Sequence, residues 1–259
     1  MLPVTIVISG ASSGLGAALA CQYAANGIVL GLLGRDSQRL EQVAEQCRTL
    51  GATVETALID ITDRDAMQRF MIDFDSRHPV DLCIANAGIS AGSSGGGEST
   101  EQATRIFNVN TLGVMHCINP LLEPMQKRHK GQIAIISSIA GFRGLPTAPA
   151  YSMSKAAIRY YAQALRGQLY RDNIHVSTIC PGFIKTPMTD VNPFPMPFMV
   201  TAEYAAKAIK RGLEKRQKTI AFPWPLVMMA RIQNLLPEWV MHKIYARIPA
   251  KPSEDELNK

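Results

Sequence analysis

Seven short apolar runs, rich in β-branched residues, alternate with helix-length segments along nearly the whole chain, and few folds accommodate that rhythm. The runs cover 4–8, 29–33, 54–59, 82–85, 133–137, 176–180 and 219–222, and helix-period segments fill 14–26, 37–50, 63–77, 101–129, 150–171 and 202–216. Strands that are apolar on both faces belong to parallel sheets, whose crossovers are helices lying on either side. The pattern predicts an α/β fold, a single Rossmann-like doubly wound parallel sheet of about seven strands with helices on both faces. Gly27, Gly51, Pro79 and Gly131 punctuate the boundaries. No internal repeat and no long linker interrupts the rhythm, so residues 1–259 are read as one domain.

Composition narrows the function classes. Five scattered cysteines without a C-x-x-C pair indicate reduced core thiols, with neither a disulfide framework nor a zinc site. His78, His116, His129, His175 and His242 lack metal-binding spacing, so no metal is expected. The net charge of +6 is concentrated late: residues 201–259 hold 11 Lys and Arg against 6 Asp and Glu, while 1–200 hold 16 against 15. Without interleaved aromatics or finger spacing, that excess reads as a solvated helix face and not as a nucleic-acid surface. The first strand begins almost at once, with no basic and apolar leader before it, and no apolar run approaches the roughly 20 residues that span a bilayer. A cytoplasmic location is expected, extended at most to the surface of a membrane.

The first strand-to-helix junction reads Ser9-Gly10-Ala11-Ser12-Ser13-Gly14-Leu15-Gly16. Glycines at 10, 14 and 16 allow a tight turn and a close backbone approach to a pyrophosphate, whose charge meets amide N–H groups and a helix N-terminus. The spacing G-x-x-x-G-x-G differs from the G-x-G-x-x-G template. At the end of the second strand stands Leu33-Gly34-Arg35-Asp36. A carboxylate there would hold the ribose hydroxyl of NAD, whereas an Arg would take the 2′-phosphate of NADP. Gly34 removes the carboxylate and Arg35 supplies the cation, which favours NADP(H); Asp36, displaced by two residues, is the alternative acid for NAD.

Tyr151 and Lys155 lie at i and i+4 on one helix face. A phenol has an ordinary pKa of about 10, and a nearby ammonium should lower it into the range where proton transfer is useful. Ser138, thirteen residues before Tyr151 at the end of the fifth strand, can donate to a developing alkoxide. Its neighbour Ser137 points to the opposite face by strand alternation.

With these residues in place the chain resembles the short-chain dehydrogenase/reductase family from about 4 to 222. The resemblance rests on the loop Gly10 to Gly16, Asp60, Asn86-Ala87-Gly88, Asn110, Ser138, Tyr151 with Lys155, and Pro181-Gly182 with Thr186, in the family's order. It implies a dinucleotide-binding, catalytic domain that moves a hydride between NADP(H) and a carbonyl or secondary alcohol. Tyr151 would carry the proton, Lys155 would lower its pKa and hold the nicotinamide ribose, Asn110 would hold a water linking Lys155 to solvent, and Ser138 would position the substrate oxygen. For the cofactor, Gly10, Ser12, Ser13, Gly14, Leu15 and Gly16 would cradle phosphate. Asp60 and Ile61 would border the adenine, Asn86, Ala87 and Gly88 would back its ribose, and Pro181, Gly182, Ile184 and Thr186 would line the nicotinamide. Two departures are small: Ser9 stands for a common Thr and Ala85 for an Asn, changes that bear on a backbone-bridging hydrogen bond but remove no catalytic group. A homodimer or homotetramer through helices 101–129 and 150–171 is also implied.

Three stretches fall outside those motifs. Residues 90–97, SAGSSGGG, have the composition of a mobile loop without chemistry. Residues 182–200, rich in Pro, Phe and Met, follow the sixth strand and are read as a substrate lid for an apolar, long-chain ketone. Residues 221–250 form an apolar and basic extension, with helices expected at 227–236 and 238–248 after a break at Pro223 and Pro225. Trp224, Met228, Leu235, Trp239 and Ile244 are available to pack, and Arg231, Lys243 and Arg247 fringe them. This extension should fold over the cleft or a subunit interface, or alternatively rest on a membrane. Two rival functions remain: a catalytically silent dinucleotide sensor and a membrane-surface interaction protein on the same fold.

Overall fold

Side-chain alternation divides the strands between two cores. Ile6, Ile8, Leu30, Leu32, Leu82, Ile84, Ala134 and Ile136 pack on one side; Val7, Leu33, Cys83, Ala85, Ile133 and Ile135 pack on the other. Period-two alternation with both faces buried is what makes each strand read as an uninterrupted apolar run.

The computed structural model describes residues 3–93, 97–246 and 251–253. Its elements are β1 (Thr5–Ser9), α1 (Gly14–Tyr23), β2 (Val29–Gly34), α2 (Ser37–Thr49), β3 (Thr53–Leu58), α3 (Arg64–Arg77), β4 (Leu82–Ala85) and α4 (Thr100–Phe107). There follow α5 (Gly113–Lys127), β5 (Gly131–Ile136), α6 (Pro149–Gln168), β6 (Ile174–Pro181) and the one-turn α7 (Pro187–Asp190). The last are α8 (Ala202–Glu214), β7 (Thr219–Phe222), α9 (Trp224–Gln233) and α10 (Glu238–Tyr245). The strands pair in parallel in the order β3-β2-β1-β4-β5-β6-β7. Helices α1, α2 and α8 fill the first core and α3, α5 and α6 the second. The strand order reverses between β1 and β4, and such a switch point opens a crevice at the strands' C-terminal ends.

The expected segment 101–129 is not one helix. A π turn over Asn108–Leu112 separates α4 from α5 and buries Asn110 and Thr111. One wide turn rotates a side chain out of the ordinary helical face, and such turns favour functional sites. The segment 150–171 similarly ends at Gln168, with a 3₁₀ turn over Tyr170–Asp172 closed by Asn173 in the left-handed region, φ 55°.

The extension also departs from expectation. Helix α9 starts at Trp224, three residues early, because Pro223 occupies the N-cap and Pro225 the first turn, where a missing N–H breaks no helical bond. Leu226, Val227 and Met241 do the packing. Trp224, Met228, Leu235, Trp239 and Ile244, expected to pack, are exposed, Trp224 at 75% and Leu235 at 83%. At 100° per residue, the outward Trp224, Met228, Met229 and Ile232 lie opposite the inward Leu226, Val227 and Ala230. Helix α9 is therefore apolar on two faces, only one of which is covered by the described residues. Arg247 and Ile248 lie outside the described residues, and no described helix is long and apolar enough to cross a membrane.

Of the glycine-rich loop, Ser94, Gly95 and Gly96 lie outside the described residues. Ser90 to Ser93 are anchored, contrary to a freely mobile reading. The Gly92 N–H donates to the Pro252 carbonyl at 2.8 Å, and the Ser93 N–H donates to the Thr147 carbonyl at 3.1 Å.

Candidate active site

A cleft of about 610 Å³ opens at the C-terminal ends of β1, β4, β5 and β6. Its floor begins at the β1–α1 turn. Gly10 and Gly14 adopt φ of 65° and 54°, and a Cβ on Gly16 would stand 2.0 Å from the Gly10 carbonyl oxygen. Only glycine satisfies either demand. Helices α2, α3, α4 and α8 each carry a side-chain N-cap, from Asp36, Asp63, Ser99 and Thr201. Helix α1 has none, and no acid in its first turn. Its leading N–H groups and the positive end of its dipole thus face the cleft, an arrangement that suits a phosphate.

Asn86 ties this turn to β4. Its Nδ2 donates to the Ser9 and Gly10 carbonyls at 3.0 and 3.1 Å, while Ser9 Oγ accepts from the Asn86 and Ala87 N–H groups at 3.0 and 3.1 Å. The serine in place of a threonine thus bridges the two turns through its hydroxyl.

At the β2 end, Arg35 Nη1 donates to Asp60 Oδ2 at 3.3 Å. Burial raises the Asp60 pKa, but hydrogen bonds from the Thr62 N–H and hydroxyl, with the Arg35 charge, outweigh it and hold the carboxyl below its ordinary range. Asp36 is engaged elsewhere: it caps α2, accepting the Arg39 N–H at 2.9 Å and Arg39 Nε at 2.8 Å. Those bonds hold its pKa down. Arg39 lines the cleft beside Arg35 and Ser12. Gly34 lies against Ser12, whose Cβ would be 3.2 Å from a Cβ at 34. Arg39 was missed in the sequence. Its signal was Asp36-Ser37, a helix N-cap that places the fourth residue in the first turn, beside the cap.

At the far end, the Ser138 hydroxyl is near enough to the Tyr151 phenol to favour its ionised form, and Ser138 Oγ accepts the Ala140 N–H at 3.1 Å. Ser137 faces the other way and donates to the Lys155 carbonyl at 2.8 Å, as strand alternation predicts. Lys155 Nζ donates to the Ile136 carbonyl at 3.0 Å and stands 5.7 Å from the Tyr151 ring centre. Burial pulls its pKa down to about 8. Burial also pushes the Tyr151 phenol up, and the Ser138 hydrogen bond only partly reverses this. The expected net lowering is absent, desolvation of the phenolate being the largest effect on the group.

The structure brings Gly10, Ser12, Ser13, Gly14, Leu15, Gly16, Arg35, Asp60, Ile61, Asn86, Ala87, Gly88, Ser138, Tyr151, Lys155, Pro181, Gly182, Ile184 and Thr186 into this one cleft. Asn110 is set behind it. Its carboxamide accepts the Ile89 N–H at 2.8 Å and donates to the Ile89 carbonyl and Ser154 Oγ at 2.9 and 3.1 Å, fixing the backbone beyond Gly88. A Cβ on Gly88 would crowd Asn110 Oδ1 and Lys155 Nζ at 3.1 and 3.3 Å. Over the mouth, residues 182–200 leave β6 and return through the Ile184–Val200 bridge. Pro187, Met188 and Thr189 of α7 line the cleft, and the Phe183 and Phe194 rings lie 6.3 Å apart. Among the described residues no group of three His, Cys, Asp or Glu side chains could hold a metal ion.

A doubly wound sheet whose glycine turn leads along one cleft to a serine, a tyrosine and a lysine defines an oxidoreductase that uses a nicotinamide dinucleotide. The chain belongs to the short chain dehydrogenase family, whose model matches residues 4–193. It is 33% identical over 234 residues to an uncharacterized oxidoreductase of Myxococcus xanthus, covering 90% of this chain and 92% of that protein. Among solved structures it is similar to a short-chain dehydrogenase from Sphingobium yanoikuyae in complex with NADPH, with TM-score 0.78 and 25% identity over 97% of this chain and 99% of that one. A short chain dehydrogenase/reductase from Burkholderia phymatum in complex with NAD matches with TM-score 0.81 and 23% identity, over 89% and 92% of the two chains.

Proposed function

We propose that this oxidoreductase reduces bulky or long-chain apolar ketones with NADPH, or oxidises the corresponding secondary alcohols. The solved structures it resembles hold either cofactor, so the preference rests on this chain's residues. The observation that carries it is the commitment of Asp36 to its own helix, which leaves Arg35, Arg39 and the Ser12 hydroxyl around the position where a 2′-phosphate would sit. The cradle of Gly10 to Gly16 and the uncapped α1 fit a pyrophosphate. The cofactor, when bound, supplies the hydride. Ser138 and Tyr151 hold the substrate oxygen between two hydroxyls, and Tyr151 passes it the proton. Lys155 fixes the adjoining ribose and, as an ammonium, stabilises the phenolate left behind. A dinucleotide sensor without turnover would need none of these three groups. Phe183, Phe194 and Met188 around the 182–200 loop support an apolar substrate.

The test is Arg35→Ala and Arg39→Ala. Each removes a charged hydrogen bond available only to NADPH, so the NADPH/NADH preference in kcat/KM should fall roughly ten- to a hundredfold. Equal losses for both cofactors would return Asp36 to consideration as an acid for NAD.

The outward face of α9 supports a second interaction, with an anionic bilayer. Trp224, Met228 and Ile232 offer apolar contact, and Arg231, one turn on from Met228, flanks them with charge. Homo-oligomer formation through α5 and α6 is supported by exposed Met153 and Tyr160 on α6 and by Leu112 just before α5.

A further inference from the structure

The two stretches that the cleft leaves unexplained, the glycine-rich loop after β4 and the end of the chain, meet each other. Lys251 is only 6% exposed, and its Nζ donates to Ser90 Oγ at 3.0 Å. One residue on, the Pro252 carbonyl accepts the Gly92 N–H at 2.8 Å. The approach is so close that a Cβ on Gly92 would lie 2.3 Å from the Lys251 carbonyl oxygen and 2.4 Å from the Lys251 Cβ. Gly92 is not among the residues with positive φ. The space taken by residue 251, and not the backbone conformation, is what excludes a side chain there.

The same loop is held from the inside. The Gly92 carbonyl accepts from Gln102 Nε2 of α4 at 2.9 Å, and Ser93 donates to the Pro146 and Thr147 carbonyls in the segment that leads into α6. Glu98 Oε2 accepts the Ala150 N–H at 2.7 Å, capping α6 next to Tyr151. Between these anchors Ala91 is buried with Ile106 and Ala150 in a small cluster, against which Ile89 and the Tyr151 ring pack. Ile89 itself lines the cleft. The backbone that backs the phenol is thus clamped between α4 and α6 on one side and residues 251–252 on the other.

We propose that Lys251 is a positioning residue: residues 251–252 strap the Ser90–Gly92 loop in place, and through Ala91 and Ile89 they set the substrate wall beside Tyr151. The strap governs how a carbonyl substrate fits and leaves the dinucleotide end of the cleft untouched. The inference rests on the reading of Tyr151 as the proton-transfer residue, so its test includes a measurement that needs no turnover.

Four forms are compared with the full-length chain: Gly92→Ala, Lys251→Met, a chain ending at residue 250, and that shortened chain carrying Gly92→Ala. The probes are 2-decanone with NADPH for kinetics, NADPH alone for binding, and amide hydrogen exchange over residues 89–93 without ligand. Gly92→Ala displaces the strap and truncation removes it, so each should raise KM for 2-decanone about tenfold, as expected for losing one or two hydrogen bonds. Each should leave the NADPH Kd within about twofold and hasten exchange over 89–93. Lys251→Met, which keeps the stem and loses the bond to Ser90, should show a smaller rise of about threefold. In the shortened chain Gly92→Ala should add nothing further, because the three atoms nearest its Cβ all belong to Lys251 and are then gone. Losses that multiply in the combined form, or a shortened chain with unchanged KM and exchange, overturn the strap; an unchanged Lys251→Met overturns the role of the amine. If the full-length chain does not turn over ketones, the catalytic reading fails, and the exchange rates alone decide whether the strap holds the loop.

Discussion

At Tyr151, burial and hydrogen bonding act in opposite directions on the phenol, and burial is the stronger. A proton-transfer role then depends on the hydroxyl itself and not on the ring, which packs against the cluster of Ala91, Ile106 and Ala150 in either case. Tyr151→Phe should lower kcat by about 10² to 10⁴ or more while NADPH binding stays near normal; a kcat close to that of the full-length chain would remove Tyr151 from the mechanism. Lys155 makes a prediction about stability. Burial lowers its pKa from 10.5 to about 8, so between those values the unfolded chain binds more protons than the folded one. The cost of burying the ammonium is therefore complete below pH 8 and relieved as pH rises toward 10.5. Relative to Lys155→Met, the wild type should gain up to about 3 kcal/mol between pH 7 and 10.5, since one pKa unit corresponds to about 1.4 kcal/mol. Thermal unfolding of both proteins at pH 7 and pH 10 measures this, and a gap between their Tm values that ignores pH refutes it. Some of these residues were legible in the sequence and others were not. Ser138, Tyr151 and Lys155 stand at spacings that a strand end and a helix turn dictate. Arg39 could have been found from the Asp36-Ser37 cap three residues before it, whereas Lys251 reaches its position through contacts that no local pattern encodes.

Helix ends separate the parts of the molecule that stabilise from the part that binds. Asp36, Asp63, Ser99 and Thr201 close their helices with their own side chains, while α1 leaves its first N–H groups to the cleft. The uncapped start was not readable from the sequence, since Ser13 at the N-cap is a residue type that ordinarily closes a helix, but the glycine turn was. The π turn at Asn108–Leu112 was not, because a helical periodicity of 3.6 runs through it with only one extra residue in the winding. The α9 start was misjudged for a related reason: Pro223 and Pro225 look like breakers until the first turn is found at Trp224. That helix carries the prediction at this scale. An apolar face opposite the packed one ordinarily meets a partner, and the proposed partner is lipid. Trp224→Gln with Ile232→Gln should reduce co-sedimentation with phosphatidylserine vesicles several-fold, each apolar side chain contributing about 1.5 to 3 kcal/mol if fully buried. Turnover of 2-decanone should be unchanged. Equal sedimentation of both forms would leave this face to another copy of the chain.

Over the whole molecule, seven apolar runs and six helical segments were enough to foresee the sheet, because strands covered on both faces can be little else. The gathering of Gly10, Arg35, Asn86, Tyr151 and Thr186 into one cleft was foreseen by likeness to a family; its physical cause is that the loops at one edge of a parallel sheet all open on the same side. The stretch beyond residue 222, which the motifs in the sequence did not reach, is also where the fold departs most from expectation. The strand order has a consequence for how the protein is made. β1 lies between β2 and β4, and β4 pairs on its other side with β5, which begins only at Gly131. A chain emerging from the ribosome therefore presents the short apolar edge Leu82–Ala85 without its second neighbour until the segment up to Gly131 and beyond is made. The cleft waits longer still, for the segment around Thr186. Parallel pairings between segments so distant in sequence form slowly, and an unpaired apolar edge invites association with other unfinished chains. For this protein, the rate of synthesis relative to folding, and the presence of a chaperone over that interval, decide how much of what is translated reaches the native state.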